Sequence, residues 1–74
     1  MVILYSQPEC RNCEIIKRLL KEKSIEYVVI EDFEICYEVA KKNNIASFPF
    51  ANVNDTILGT QKLLQWIREQ KIWL

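Results

Sequence analysis

A chain of 74 residues with one glycine and two prolines has few places where its backbone can be irregular. Left-handed turn positions usually draw on glycine, and regular elements usually break at glycine or proline. Most of this chain must therefore sit in helices and strands, and the apolar pattern says which. Met1-Val2-Ile3-Leu4-Tyr5 is apolar at every position, as suits a strand covered on both faces. Ser6, Gln7 and Pro8 break it. From Arg11 the period becomes helical: Ile16, Leu19, Leu20 and Lys23 share one face, with Lys17, Arg18, Lys21 and Glu22 on the wet side. Ser24 closes this helix, and Glu26-Tyr27-Val28-Val29-Ile30 is again a buried-strand run.

Glu31 and Asp32 place negative charge at the start of a second helix, where the macrodipole favours it. Ile35, Cys36, Val39 and Ala40 form its apolar face, Lys41 and Lys42 stand near its end, and Asn43 or Asn44 is the expected left-handed cap. The charged residues at both ends read as ordinary solvated helix termini. Beyond Ser47-Phe48-Pro49 comes a strand, Phe50 to Val53. Asn54-Asp55 is a turn pair, and Thr56 to Leu58 is the returning strand of a hairpin. Gly59 ends it, and Thr60 is expected to cap a last helix that buries Leu63, Leu64, Ile67 and Trp66. The closing residues Lys71-Ile72-Trp73-Leu74 are expected to pack back on the domain. The order strand, helix, strand, helix, strand, strand, helix makes the first two strands parallel and adds an antiparallel hairpin. A single α/β domain over residues 1–74 is the economical answer.

Ten basic and ten acidic residues cancel in formal charge, and no block of like charge forms the basic stripe expected for nucleic acid. The longest apolar run is too short for a membrane span, and it lacks the charged leader of a signal peptide. A cytoplasmic monomer is expected. Three cysteines, an odd number, argue against a closed structural disulfide framework, and in a reducing compartment a disulfide is usually transient and catalytic.

That directs attention to Cys10-Arg11-Asn12-Cys13, between the first strand and the first helix. A thiol at a helix N-terminus faces unpaired backbone N–H groups and the positive end of the dipole, which stabilise thiolate over thiol. Arg11 adds a fixed positive charge. Cys10, at the mouth, suits the nucleophile. Cys13, three residues on and so on the same face, can attack the mixed disulfide that Cys10 forms. A thiolate already populated near neutral pH needs no general base, and the chain has no histidine. Two other readings stay open on the residues alone. The pair could be half of a zinc site, or part of an iron–sulfur site between two chains, but only Cys36 remains as a further thiol. Both thiols could be small buried hydrophobes, which suits Cys36 on its apolar helix face better than a pair bracketing Arg11 and Asn12.

The sequence resembles the glutaredoxins and related small thioredoxin-like redoxins over essentially its full length. The resemblance rests on Val2-Ile3-Leu4-Tyr5-Ser6 leading into Cys10-Arg11-Asn12-Cys13, on Ser47-Phe48-Pro49, and on Leu58-Gly59-Thr60-Gln61-Lys62-Leu63. It implies a thioredoxin fold, βαβαββα, with a four-stranded mixed sheet flanked by three helices. It implies a dithiol oxidoreductase that reduces protein or glutathione mixed disulfides, with glutathione as co-substrate and no bound metal or organic cofactor. The proline matching Pro49 is cis in that family and lies beside the cysteine pair. The residue before it, here Phe48, offers its backbone to glutathione or to an extended peptide. Departures from the family pattern concern the electron source. Gln7 stands where a Lys or Arg usually pairs with a glutathione carboxylate. Leu58-Gly59-Thr60-Gln61 lacks the second glycine and the acidic residue that normally hold the other end of glutathione, leaving the backbone N–H groups of Thr60 and Gln61. A redoxin fed by thioredoxin reductase and donating to ribonucleotide reductase is the alternative. Its usual Trp-Ser-Gly-Phe signature is also absent.

Overall fold

A computed structural model of the chain describes residues 2–70, so Met1 and the closing residues 71–74 lie outside the described part. The elements are β1 (Val2–Tyr5), α1 (Arg11–Glu22), β2 (Tyr27–Ile30), α2 (Phe33–Lys42), β3 (Phe50–Val53), β4 (Thr56–Leu58) and α3 (Thr60–Glu69). The sheet order is β2-β1-β3-β4, with β1 and β2 parallel and the other two pairings antiparallel. This is the mixed, four-stranded thioredoxin fold that the resemblance implied.

The sheet is covered unequally. On one face Val2, Leu4, Ala51 and Val53 pack with Ile16, Leu20, Leu63 and Ile67 of α1 and α3. On the other, Tyr5 and Phe50 pack with Cys36 and Ala40 of α2. β1 is central and buried, as its unbroken apolar run requires. β2 differs from expectation. It is an edge strand, and Val28 on the α2 side remains 46% exposed because the ten-residue α2 does not reach over it.

Helix ends explain how so little glycine suffices. α1 and α2 both end in Schellman motifs: Ile25 N–H donates to Leu20 O at 2.9 Å, and Ile45 N–H to Ala40 O at 2.8 Å. The left-handed residues are Ser24 (φ 57°) and Asn44 (φ 55°). Lys23, expected inside α1, is its C-cap. At the other end of α2, the Asp32 carboxylate accepts the Ile35 N–H at 3.1 Å and is a true N-cap. Ile35, placed on the buried face by its spacing, is instead 49% exposed. Cys36 and Ala40 are buried and Val39 is half-buried, so the apolar stripe is narrower than the sequence suggested. In α3, Leu63 and Ile67 are buried while Leu64 and Trp66 are half-buried.

Candidate active site

The loop between β1 and α1 delivers Cys10 to the helix as its N-cap, in extended conformation (φ −109°, ψ 109°). The Cys10 carbonyl accepts the Glu14 N–H at 3.2 Å, and its sulfur accepts the Cys13 N–H at 3.1 Å. The first N–H groups of a helix have no partner within it, so a sulfur at the cap sits against partial positive charge. Cys13 is fully buried and Cys10 half-buried. The two form a disulfide with Cα atoms 5.2 Å apart, ordinary spacing for such a bridge. Arg11 and Asn12 are exposed beside it, and so is Gln7 in the preceding loop.

The antiparallel register sets Tyr5 opposite Phe50, so the segment leaving β1 toward Cys10 faces the segment entering β3. That second segment is Ser47-Phe48-Pro49, and the Phe48–Pro49 peptide is cis, as the resemblance implied. Pro49 is buried and its carbonyl accepts the Thr60 hydroxyl at 2.6 Å. Thr60 is therefore not the cap of α3. Gly59 occupies that position, and the Thr60 side chain instead ties the first turn of α3 to the proline segment. A hydroxyl next to a helix start can satisfy either role, and tertiary packing chose the second. Thr60 and Gln61 line a groove of about 250 Å³ between α1 and α3, together with Asn12, Ile15, Ile16 and Leu64. The structure thus gathers the cysteine loop, Pro49, Thr60 and Gln61 at one end of the sheet.

Behind the cysteine loop lies a small polar cluster that the sequence did not reveal. Buried Ser6 donates its hydroxyl to Glu31 at 3.3 Å, and Lys17 of α1 reaches Glu31 at 3.9 Å and Glu14 at 3.4 Å. Glu31 is thus more than a solvated helix end. Cys36 is buried under the same region and its thiol faces the carbonyls of Ile30 at 3.4 Å and Ser6 at 3.8 Å. Burial above all, then the Asp32 carboxylate, push its pKa up; the Ser6 backbone opposes this and Glu31 adds to it. Cys36 is accordingly a protonated, packed thiol at neutral pH. Among the described residues, no three His, Cys, Asp or Glu side chains stand together so as to hold a metal, so a metal at the pair would need ligands from elsewhere.

The sequence also missed Phe33 and Tyr37. Phe33 is 72% exposed and Tyr37 55% exposed, and their rings stack with centroids 5.9 Å apart. The signal was their spacing of four residues, which puts both on one face of α2.

A parallel β1–β2 pair, an antiparallel hairpin, and a cysteine pair capping α1 beside a cis proline together define a small thioredoxin-fold redoxin. The Glutaredoxin family model matches residues 2–57, more than half of the chain, and the chain belongs to the glutaredoxin family. Solved structures agree on the fold. Glutaredoxin from Brucella melitensis is 26% identical, with a TM-score of 0.74 over 92% of this chain and 78% of that one. The glutaredoxin-like protein NrdH-redoxin from Escherichia coli is 14% identical, with a TM-score of 0.78 over 95% of each chain. The thioredoxin-like protein BC3987 is 21% identical, with a TM-score of 0.72 over 90% of this chain and 99% of that one. No curated protein matches the sequence.

Proposed function

We propose that this protein is a cytoplasmic dithiol oxidoreductase that reduces protein or glutathione mixed disulfides. The observation that carries this reading is the half-exposed Cys10 at the cap of α1, its sulfur accepting the amide of the buried Cys13. In the reduced protein, the Cys10 thiolate attacks one sulfur of a substrate disulfide. That bond breaks, a Cys10–substrate disulfide forms, and the first substrate thiolate leaves and takes up a proton. Cys13, losing its proton, then attacks the Cys10 sulfur and expels the second substrate thiolate. Two electrons and two protons pass to the substrate, leaving the Cys10–Cys13 disulfide. Two glutathione thiols can return the pair to the dithiol state, becoming glutathione disulfide. Arg11 favours the thiolate by its charge. The Phe48 backbone, held by Pro49, pairs with the substrate chain, and the backbone N–H groups of Thr60 and Gln61 at the start of α3 donate to a carboxylate.

A second reading concerns the electron source alone. Gln7 and Gln61 are neutral where ion pairs with glutathione are expected, which favours a reductase-fed redoxin, and NrdH-redoxin, similar in fold, is a glutaredoxin-like protein with a thioredoxin-like activity profile. Glutathione-coupled reduction of a small mixed disulfide separates the two. Wild-type activity that vanishes in Cys10→Ser and partly survives in Cys13→Ser supports the glutathione route. Absent turnover in protein whose Cys10–Cys13 bond still forms and reduces reversibly supports the reductase route. Undiminished turnover in Cys10→Ser would sink the mechanism itself.

A further inference from the structure

Beside Phe48, on the side away from the α1–α3 groove, lies a second groove of about 340 Å³. Phe33, Tyr37, Ala40 and Lys41 of α2 form one wall, and Ile45 and Phe48 the other. Phe48 is the last link of an aromatic row through the second core. Its ring centroid is 5.3 Å from that of Phe50, which stacks on Tyr5 at 4.9 Å. The row therefore runs from the strand that leads into the cysteine loop out to an open apolar trough. Two stacked aromatic rings left this exposed on a ten-residue helix are unusual, since their burial would stabilise the fold.

From this continuity we infer that the groove selects the protein substrate. It takes a large apolar or aromatic side chain close to the reacting cysteine of an extended segment, with an acidic residue next to it. The assignment rests on the reading of Cys10 as the attacking thiol and deepens it. An extended chain that pairs with the Phe48 backbone at the proline segment sends alternate side chains to opposite sides. One of those sides is the trough, whose wall includes Phe48 itself. Lys41 is the one charged residue lining it, so the neighbouring charge on the substrate is negative. Glutathione carries no large apolar side chain and would leave Phe33 and Tyr37 uncovered. Aromatic side chains in a shared pocket typically dominate the energy of such contacts.

The test uses three mixed disulfides of 2-nitro-5-thiobenzoate: with N-acetylcysteine amide, with a hexapeptide whose cysteine is flanked by Phe and Asp, and with one flanked by Ser and Lys. Attack of Cys10 on the cysteine sulfur releases the coloured thiolate, and the Cys13→Ser background confines the reading to that step. The Phe–Asp peptide is expected to react about tenfold faster than the Ser–Lys peptide, the factor that one partly buried aromatic side chain supplies. In Phe33→Ser/Tyr37→Ser the ratio of the two peptide rates should collapse toward one, and Lys41→Glu should lower it. Equal peptide rates in the parent, with normal reaction of the small probe, overturn the groove assignment and leave the thiol chemistry standing. An unreactive small probe removes the thiol chemistry, and the groove assignment with it. Concentration-dependent self-association abolished by Phe33→Ser/Tyr37→Ser would overturn it too, by assigning the trough to a second copy of this chain.

Discussion

Among the described residues, five take the left-handed backbone conformation, and none of them is glycine: Glu9, Ser24, Asn44, Asn54 and Asp55. A side chain there crowds the backbone, at a cost of roughly 1–2 kcal/mol that Asn and Asp partly relieve by local hydrogen bonding. In the hairpin the support comes from a neighbour instead: the side-chain oxygen of Asn52, in β3, accepts the N–H of left-handed Asp55 at 2.9 Å. Ser24 bears the burden with no such compensation of type. Ser24→Gly is therefore expected to raise the unfolding free energy by about 0.5–1 kcal/mol, read as a higher urea midpoint at unchanged slope. The one glycine supplies the control. Gly59 has φ −68°, and a Cβ there would meet Ile45 at 3.5 Å, an ordinary contact. Gly59→Ala should change stability by less than about 0.5 kcal/mol. The scarcity of glycine thus limited irregular backbone less than composition implied, because Asn, Asp, Ser and Glu took the left-handed positions. The redox pair was legible for the opposite reason. Its two thiols lie three residues apart, so their chemistry and the helix that positions them are written in one short segment.

At the level of elements, α1 is built around its N-cap. Cys10 does for this helix what Ser, Thr or Asp does for most, since its sulfur accepts the N–H of the third helical residue, Cys13, at 3.1 Å. A serine oxygen accepts the same bond well, whereas alanine leaves the amide without it. Under reducing conditions, Cys10→Ser should keep a stability close to that of the parent, and Cys10→Ala should lose about 1 kcal/mol relative to Cys10→Ser. Equal stability of the two variants in a denaturant titration would mean that sulfur is a spectator at the cap. Serine is on this ground the cleaner variant for testing chemistry. Element order and most bounds were readable because strand and helix periods alternate without long loops. What periodicity left out is what lies across from each face. β2 reads as a buried strand although it is an edge, and α3 reads as capped by Thr60 although that hydroxyl reaches across to Pro49. Both depend on neighbours remote in sequence.

Across the whole molecule the two layers are unequal, and that asymmetry has a dynamic consequence. The α1–α3 side holds eight buried residues in its cluster and the α2 side four, so α2 is bound to the sheet by much less apolar area. Elements with few buried contacts open before the domain unfolds. The α2 side is also the side that carries the exposed Phe33 and Tyr37, so the surface assigned to substrate lies on the weaker layer. Cys36 reports on it directly. With Cys10 and Cys13 oxidised it is the one free thiol of the three, and it is buried, with its ionisation disfavoured by that burial and by the Asp32 carboxylate. Alkylation near neutral pH must therefore wait for α2 to lift. Iodoacetamide labelling of the oxidised protein in low urea should yield an opening free energy more than about 1 kcal/mol below that of global unfolding, with a much shallower urea dependence. Because the closed form holds its proton more tightly, the free energy of opening is constant below the ordinary thiol range, about 8.5, and falls above it until the raised pKa of the closed form is reached; the labelling rate should therefore climb with pH through that range and beyond it. A labelling free energy and slope equal to the global values would mean instead that α2 leaves the sheet only when β1 and β3 come apart, and that the two layers are one cooperative unit.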